Sequence, residues 1–155
     1  MRKRSWVLAV SVLSTVVMAL GAAPASAAVV ANSFKNFGDK RCLDYRSDVG
    51  LYINKCNGGD YQKWIWNNHN AATPIKHVAT GRCLSLTWRL GTEPCFAGEP
   101  QQWWWVTPRS GGQIPFIKSD YNDMCLSATD DDGALSVKMV HCTTGESKQR
   151  WRIVQ

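Results

Sequence analysis

The chain lacks the helical signal that many globular proteins carry. No window of a dozen residues shows a persuasive apolar period of 3.6 residues, which is the mark of an amphipathic helix. A C-x-x-C pair is also missing, and the three histidines, His69, His77 and His141, follow no spacing typical of metal ligands. Helical bundles and zinc-binding domains are therefore disfavoured, and no metal or other cofactor is expected.

A concentrated basic segment is missing from the body of the chain. The full chain has 18 basic and 12 acidic residues, which gives a net charge of +6. Residues 1–27 hold three of the basic residues and none of the acidic ones, so the remainder has 15 against 12, or +3. Because nucleic-acid binding needs a concentrated positive footprint, no nucleic-acid partner is predicted.

Residues 1–27 have the layout of a secretory signal peptide. A basic head at residues 2–4 precedes the 15-residue apolar stretch Trp6–Leu20, and Ala25-Ser26-Ala27 forms a small-x-small cleavage signal. The apolar stretch is shorter than the roughly 20 residues of a spanning helix. The prediction is a mature domain of residues 28–155 that is secreted to the extracellular space, monomeric, and free of the membrane after cleavage.

A Gln-x-Trp motif occurs three times, each time a few residues after the second member of a cysteine pair. The first cysteines of successive pairs lie 41 and 42 residues apart, and the second cysteines 39 and 47. A period near 40 indicates one copied supersecondary unit, which cannot bury its apolar face alone. The motifs are Gln62-Lys63-Trp64, Gln101-Gln102-Trp103 and Gln149-Arg150-Trp151, and the pairs are Cys42 with Cys56, Cys83 with Cys95, and Cys125 with Cys142.

Positions outside the motif support the same alignment of the three copies. Eight residues before the first cysteine of each pair stands a large apolar residue, and a leucine follows that cysteine each time. These residues are Phe34, Ile75 and Ile117, and Leu43, Leu84 and Leu126. Agreement at several fixed offsets makes a triplicated unit the better explanation than chance.

The second motif has two possible registers. Gln102-Trp103-Trp104 fits the pattern as well as Gln101-Gln102-Trp103 does. The register that starts at Gln101 is preferred, because it places Trp105 where Trp66 and Ile153 fall in the other copies. The alternative would turn those side chains to the opposite face of a strand, since strand side chains alternate.

Six cysteines in an exported chain are expected to form disulfides. Fifteen pairings are possible, and an arrangement within each copy is the simple one that keeps the copies equivalent. The prediction is therefore Cys42–Cys56, Cys83–Cys95 and Cys125–Cys142.

Short apolar runs broken by turn signals predict an all-β fold. Strand-like runs include Cys83–Leu86, Gln113–Lys118, Leu135–Val140 and Trp151–Val154. Three equal units of about four strands protect their edges most economically by closing into one barrel around a pseudo-three-fold axis.

Three copies of Cys-Leu-[Asp/Ser] … Cys … Gln-x-Trp resemble the ricin B-type lectin domain. The likeness covers the chain from about Asn32 to Gln155. It implies a β-trefoil with repeats at about 32–72, 73–112 and 113–155, and it implies that the motif tryptophans Trp64, Trp103 and Trp151 form a structural core. The family commonly binds galactose or other simple sugars, so a carbohydrate partner is implied.

The resemblance also implies which residues would hold a sugar. Family members place an aspartate two residues after the first cysteine, a polar residue and an aromatic four and two before the second cysteine, and an Asn before the motif Gln. The first repeat has Asp44, then Tyr52 and Asn54 in exchanged order, and Gln62, so these four form the candidate carbohydrate pocket. Tyr61 replaces the expected Asn.

The second and third repeats depart further from the family pattern. Ser85 and Ser127 replace the aspartate, and Gly91 and Lys138 stand four residues before the second cysteine. One pocket therefore remains plausible, and the predicted function is a non-catalytic module that binds a polysaccharide or glycan. A protein-interaction or protease-inhibitor role on the same scaffold is the alternative. No catalytic residue is predicted, because no carboxylate pair or triad can be placed.

Overall fold

The computed structural model describes residues 31–67, 71–106, 113–114, 116–130 and 135–155. The predicted signal peptide, residues 1–27, lies outside these residues. Within them the chain forms β-strands and three short 3-10 turns. No helix in this part of the chain has the length and apolar character needed to cross a bilayer.

The strands follow the repeats of the sequence. The first repeat contains β1 (Ala31–Asn36), β2 (Cys42–Arg46), β3 (Gly50–Asn54) and β4 (Trp64–Ile65). The second contains β5 (Thr73–Pro74), β6 (Lys76–His77), β7 (Cys83–Leu86), β8 (Leu90–Glu93) and β9 (Trp103–Val106). The third contains β10 (Gln113–Ile114), β11 (Ile117–Ser119), β12 (Cys125–Thr129), β13 (Ser136–Val140) and β14 (Trp151–Val154).

Antiparallel pairing closes the outer strands into a ring. Strand β1 pairs with β4 and β14, β4 pairs with β6, β5 with β9, β9 with β11, and β10 with β14. Counting β5 with β6 and β10 with β11 as one interrupted strand each, six strands form a barrel without a free edge, which removes the unpaired groups that invite aggregation. The all-β prediction is confirmed.

Three hairpins, one from each repeat, complete the architecture of a β-trefoil. They are β2–β3, β7–β8 and β12–β13, and β13 also pairs with β3 through Ser136 and Tyr52. Each hairpin carries the first cysteine of its repeat, and the bridges join Cys42 to Cys56, Cys83 to Cys95 and Cys125 to Cys142. The predicted pairing within each copy is confirmed.

The core is built from the positions that repeat. The apolar residues before the first cysteines and the leucines after them are fully buried, as the alignment predicts. Three indole rings fill the centre, and the N–H of each donates to the carbonyl of the leucine in its own repeat: Trp64 to Leu43 at 3.2 Å, Trp104 to Leu84 at 3.0 Å and Trp151 to Leu126 at 3.1 Å. Burial of these rings, with the indole N–H satisfied, stabilises the fold strongly.

The second motif has the register Gln102-Trp103-Trp104, so the prediction of Gln101 and Trp103 is wrong. Trp104 is 0% exposed, whereas Trp103 is only partly buried, and Gln102 rather than Gln101 ends a 3-10 turn as Gln62 and Gln149 do. The physical reason is packing, because the Trp104 ring fills the core and its N–H reaches the Leu84 carbonyl, and the strand then alternates from Trp104 inward to Trp105 outward. The motif glutamine follows the second cysteine by seven positions in the second and third repeats and by six in the first.

Candidate functional site

The first hairpin separates core residues from outward-facing polar ones. Leu43 pairs with Ile53 across the two strands, and both are fully buried. Asp44 lies directly opposite Tyr52, and Asn54 follows two residues after Tyr52. Because side chains two apart share a face of a strand, these three residues lie together on the face away from the core.

The Asp44 carboxylate is buried and only half satisfied. Asp44 as a whole is 2% exposed. The oxygen Oδ2 accepts a hydrogen bond of 2.9 Å from Gln62 Nε2, whereas Oδ1 is buried without a hydrogen-bond partner among the described residues. A buried carboxylate oxygen without a donor is costly, so this oxygen is suited to accept a hydrogen bond from a ligand.

The motif glutamine holds the loop around the second cysteine of each repeat. Gln62 Oε1 accepts from the backbone N–H of Asn57, and its Nε2 donates to the carbonyl of Lys55, so it binds the residues on both sides of Cys56. The same two bonds recur in the other repeats, from Gln102 to Phe96 and Pro94 and from Gln149 to Thr143 and His141. The glutamine is thus a fold residue in all three repeats, and in the first repeat alone it also holds a carboxylate.

Tyr52 and Asn54 stand at the border of the candidate pocket. Burial raises the pKa of the Tyr52 hydroxyl, and the negative charge of Asp44 and the approach of the hydroxyl to that carboxylate raise it further. Asn54 Oδ1 accepts a 2.8 Å bond from the backbone N–H of Lys55. The four predicted residues are therefore neighbours: Asp44, Tyr52 and Asn54 on one face of the hairpin, with Gln62 against the carboxylate.

Tyr61, which replaces the expected Asn, is 54% exposed. Its carbonyl lies 3.0 Å from Nε2 of His77, whose Nδ1 lies 2.9 Å from the Thr80 hydroxyl. Because a carbonyl only accepts, the proton of a neutral His77 belongs on Nε2. The Tyr61 side chain is the aromatic group closest in sequence to the motif, and it faces solvent beside the pocket.

His77 is a site neighbour that the sequence does not reveal. The side chain is fully buried and packs on the rings of Tyr45, Tyr61 and Trp64. Burial lowers the pKa of His77, and this effect is opposed by the bond to the Tyr61 carbonyl and by the charge of Asp44. Its hydrogen bonds go to the Thr80 hydroxyl and to the Tyr61 carbonyl.

The second hairpin has the same strand pairing as the first but lacks the side chains of the candidate site. Ser85 takes the position of Asp44 and pairs with Gly91, and its hydroxyl is buried without a hydrogen-bond partner among the described residues. The small side chains leave a cleft of about 470 Å³ that the tip of the first hairpin also lines. Trp88 stands at the tip of the second hairpin, 78% exposed, with the Arg89 guanidinium 4.5 Å from its ring centre. The cleft has volume and an aromatic neighbour but no buried carboxylate.

The third hairpin closes the equivalent position. The Ser127 hydroxyl donates to the carbonyl of Ala128 at 3.1 Å, and Lys138 lies opposite Ser127 in the strand pair. Lys148, which precedes the motif glutamine, forms a 2.6 Å ion pair with Asp130. Neither a carboxylate nor an aromatic ring is available at the position that matters in the first repeat.

Within the described part of the chain, no three side chains of His, Cys, Asp or Glu gather closely enough to hold a metal ion. Binding through hydrogen bonds and ring contacts is the chemistry that the first hairpin offers.

Comparison with known proteins gives one family and one fold. Residues 73–155 match the family model of the ricin-type beta-trefoil lectin domain. A search of curated protein sequences found no significant match.

Solved structures share the architecture at low sequence identity. The designed three-fold symmetric protein ThreeFoil superposes with a TM-score of 0.68 at 14% identity, covering 81% of this chain and 98% of that one. The BEL beta-trefoil gives 0.66 at 16% identity, covering 83% and 94%. An exo-beta-1,3-galactanase from Clostridium thermocellum gives 0.66 at 18% identity, with 80% of this chain covering only 30% of the enzyme. At such identities these likenesses show the β-trefoil fold alone.

Proposed function

Because this chain belongs to the ricin-type β-trefoil lectin family, we propose that it is a secreted, non-catalytic module that binds a polysaccharide or glycan. The proposed site is the pocket of Asp44, Tyr52, Asn54 and Gln62. The sugar class is a hexose with adjacent hydroxyl groups, as in galactose-like and other simple sugars.

One observation carries this proposal: Asp44 has one carboxylate oxygen held by Gln62, whereas the other has no hydrogen-bond partner among the described residues. A fixed carboxylate accepts hydrogen bonds from two neighbouring sugar hydroxyls, and charge-assisted bonds of this kind are stronger than neutral ones. Gln62 fixes the direction of the carboxylate before any ligand arrives, which lowers the entropic cost of binding.

Access to the free oxygen requires a movement of Tyr52. Asp44 Oδ1 has no exposed surface, and Tyr52 lies directly across the strand pair. Rotation of the Tyr52 ring away from Asp44 would open the carboxylate and offer an aromatic face to the apolar side of a sugar. Asn54, on the same face, would then donate from its amide to a further hydroxyl.

A single sugar site favours a polymeric target. Sugar sites of this kind bind near millimolar concentrations, or only about −4 kcal/mol. Binding to a polysaccharide surface increases the effective concentration of the sugar units and compensates for the weak single site.

The test is retention of the oxidised protein on a panel of immobilised neutral polysaccharides, compared with the Asp44→Asn variant. Asparagine keeps the shape and can still accept the bond from Gln62, so the fold should remain while retention on the preferred polymer falls at least tenfold. Asp48→Asn is the matched control, because it removes the same charge from the same hairpin at an exposed residue that pairs with Arg46.

The outcomes separate the proposal from its alternatives. Retention that survives Asp44→Asn would overturn the pocket. A blank panel, together with protease inhibition or capture of a defined protein, would replace carbohydrate binding by the protein-interaction role. Thermal unfolding of each variant shows whether a loss of retention reflects loss of the fold.

Secretion forms a separate part of the proposal. It is supported by the signal-like residues 1–27 and by three disulfides, which persist in oxidising compartments. Export of the full chain should yield a protein whose first residue is Ala28. A product that keeps its first residues and remains inside the cell would contradict this part.

A further inference from the structure

Folding concentrates positive charge on a surface that shares no residue with the candidate pocket. Strand pairing between β1 and β14 places Lys35 directly opposite Arg152. Cation–ring contacts extend this pair, because Lys40, Arg150 and Arg152 all lie over the ring of Phe37. We call this the Phe37 surface, and it consists of Lys35, Phe37, Lys40, Arg150 and Arg152.

The ring of Phe37 gathers three of these cations. Lys40 Nζ lies 4.8 Å from the ring centre, Arg150 Cζ 4.6 Å and Arg152 Cζ 5.3 Å. A cation over an aromatic face is attracted by the ring quadrupole, so Phe37 holds the charged groups close to one another. Beside the ring lies a depression of about 300 Å³ that Lys35, Lys40 and Arg152 help to line.

The cations of the Phe37 surface are not neutralised by carboxylates. In the part of the chain that the structure describes, none of the four takes part in an ion pair. Asp39 lies in the same turn, but no ion pair joins it to these residues either. Like charges placed opposite each other across two strands are destabilising, so this arrangement costs stability that an anionic ligand would restore.

The backbone conformation of Lys40 is also unfavourable, independently of the charges. Its φ is +60°, a left-handed conformation that side chains other than glycine adopt rarely. The equivalent position in the second repeat is Gly81, at φ +69°, and both residues donate their backbone N–H to the residue four positions earlier. The turn is satisfied by glycine, and in the first repeat it carries an ammonium group to the Phe37 ring.

We propose that the Phe37 surface binds the sulfate or carboxylate groups of an anionic polysaccharide. Three cations that line a small depression, with Arg150 beside them on the Phe37 ring, complement closely spaced acid groups on a sugar chain. A single-stranded nucleic acid is the less suitable polyanion, because its bases bind by stacking on free aromatic faces, and the Phe37 ring is occupied by its own cations. The site is separate from the Asp44 pocket and does not depend on it.

The experiment measures retention of the oxidised protein on immobilised dextran sulfate and polygalacturonate, with neutral dextran as the blank and double-stranded DNA as a competitor. The test variant combines Lys35→Gln, Lys40→Gly and Arg152→Gln. It should lose at least tenfold of its affinity for the anionic polymer, and the slope of log affinity against log salt should fall by roughly one for each cation removed.

Matched variants separate binding from folding and from net charge. Lys76 stands in the second repeat where Lys35 stands in the first, since each pairs with the first cysteine of its repeat. Lys76→Gln should therefore leave retention unchanged. Lys40→Gly alone should weaken retention without lowering the unfolding midpoint, because glycine accepts the left-handed backbone.

Each result decides the proposal. Retention on dextran sulfate alone, or on polygalacturonate alone, supports the proposal and identifies sulfate or carboxylate as the acid group. The proposal would be overturned if the wild type were not retained on either polymer, or if the triple variant were retained equally well. It would also be overturned if soluble DNA released the protein at a lower concentration of anionic groups than soluble dextran sulfate does. Asp44→Asn should leave this binding intact, so failure here and failure of the Asp44 pocket are distinguishable.

Discussion

The first and second hairpins have the same backbone and opposite contents. In the first, Asp44 faces Tyr52 and is bound by Gln62. In the second, Ser85 faces Gly91, and a cleft of about 470 Å³ opens beside them. The first hairpin has a carboxylate that is covered, whereas the second has open space with a serine at the position of that carboxylate.

This difference separates the residues of the fold from those of the site. The indole bonds to leucine carbonyls and the glutamine bonds around the cysteine recur in all three repeats. The Asp44 carboxylate occurs once. Symmetry therefore identifies what the barrel needs, and departures from symmetry identify what one repeat does in addition.

If the first and second repeats are equivalent in their core, the largest loss of stability should come from the removal of a central indole ring. Trp104→Ala should lower the free energy of unfolding by about 3–5 kcal/mol, because it empties a fully buried site and leaves the Leu84 carbonyl without its donor. Trp103→Ala, one residue earlier and only partly buried, is the matched control and should cost much less. Denaturant unfolding measures both, and a larger loss for Trp103→Ala would break the equivalence of Trp64 and Trp104.

The next effect should distinguish the two glutamines. Gln102→Ala removes one loop clamp and should cost about 1–3 kcal/mol, the range for buried groups left unsatisfied. Gln62→Ala removes the same clamp and also the remaining partner of a buried carboxylate, so it should cost more at neutral pH.

Replacement of Asp44 tests the reason for that difference. In an Asp44→Ser background the first hairpin resembles the second, and the excess cost of Gln62→Ala over Gln102→Ala should disappear. Chemical denaturation of the wild type, Asp44→Ser, Gln62→Ala and the double variant forms a double-mutant cycle. An excess that persists without the carboxylate would show that the two clamps differ for another reason.

The sequence predicts the repeated features well because each is written three times. Copies at fixed offsets identify the buried Phe34, Ile75 and Ile117 and the three disulfides without any knowledge of the fold. The period of two along a strand also places Tyr52 and Asn54 on one face from the sequence alone, whereas the pairing of β2 with β3 adds Asp44 to that face.

The remaining features depend on information that local spacing does not contain. Three consecutive tryptophans, at 103–105, carry no apolar–polar alternation, so only the three-dimensional packing selects Trp104 for the core. Lys35 and Arg152 lie more than 100 residues apart in sequence and meet through the pairing of the first and last strands. The expectation of dispersed positive charge therefore held for the linear chain and is wrong for this surface.

A smaller effect should be a pH dependence of stability that arises where the second repeat packs on the first. Burial lowers the pKa of His77 from its ordinary value of 6.5, so below that pH the unfolded chain binds the proton more readily than the folded one. Stability should be fully present above pH 6.5 and should decrease as the pH falls towards the lowered pKa.

The control for this prediction is His77→Asn. The equivalent position in the first repeat is Asn36, whose amide donates to the carbonyls of Lys148 and Arg150 in the neighbouring repeat. Thermal unfolding between pH 7.5 and pH 5 should show a smaller decrease for the variant than for the wild type. An identical decrease in both proteins would assign the effect to carboxylates and exclude His77 as its source.

The smallest and most demanding effect is a transfer of the pocket from the first hairpin to the second. Ser85→Asp, Gly91→Tyr and Glu93→Asn reproduce the first set in register, and Gln102 is already in place. A Cβ atom added at Gly91 meets no atom within 4 Å, and Arg82 can keep its bonds to Thr92 when Glu93 is changed. Introduced into Asp44→Asn, the three changes should restore part of the retention on the polysaccharide that the wild type prefers.

The graft also tests whether a carboxylate held by the motif glutamine is the element that matters. The control carries Ser85→Asn in place of Ser85→Asp, so it keeps the shape and the ring but lacks the charge. Gln102 donates to the Pro94 carbonyl and has a second N–H that could hold the new carboxylate as Gln62 holds Asp44. Recovery with aspartate but not with asparagine would locate binding in the held carboxylate, whereas equal recovery would assign it to the aromatic ring and the open cleft.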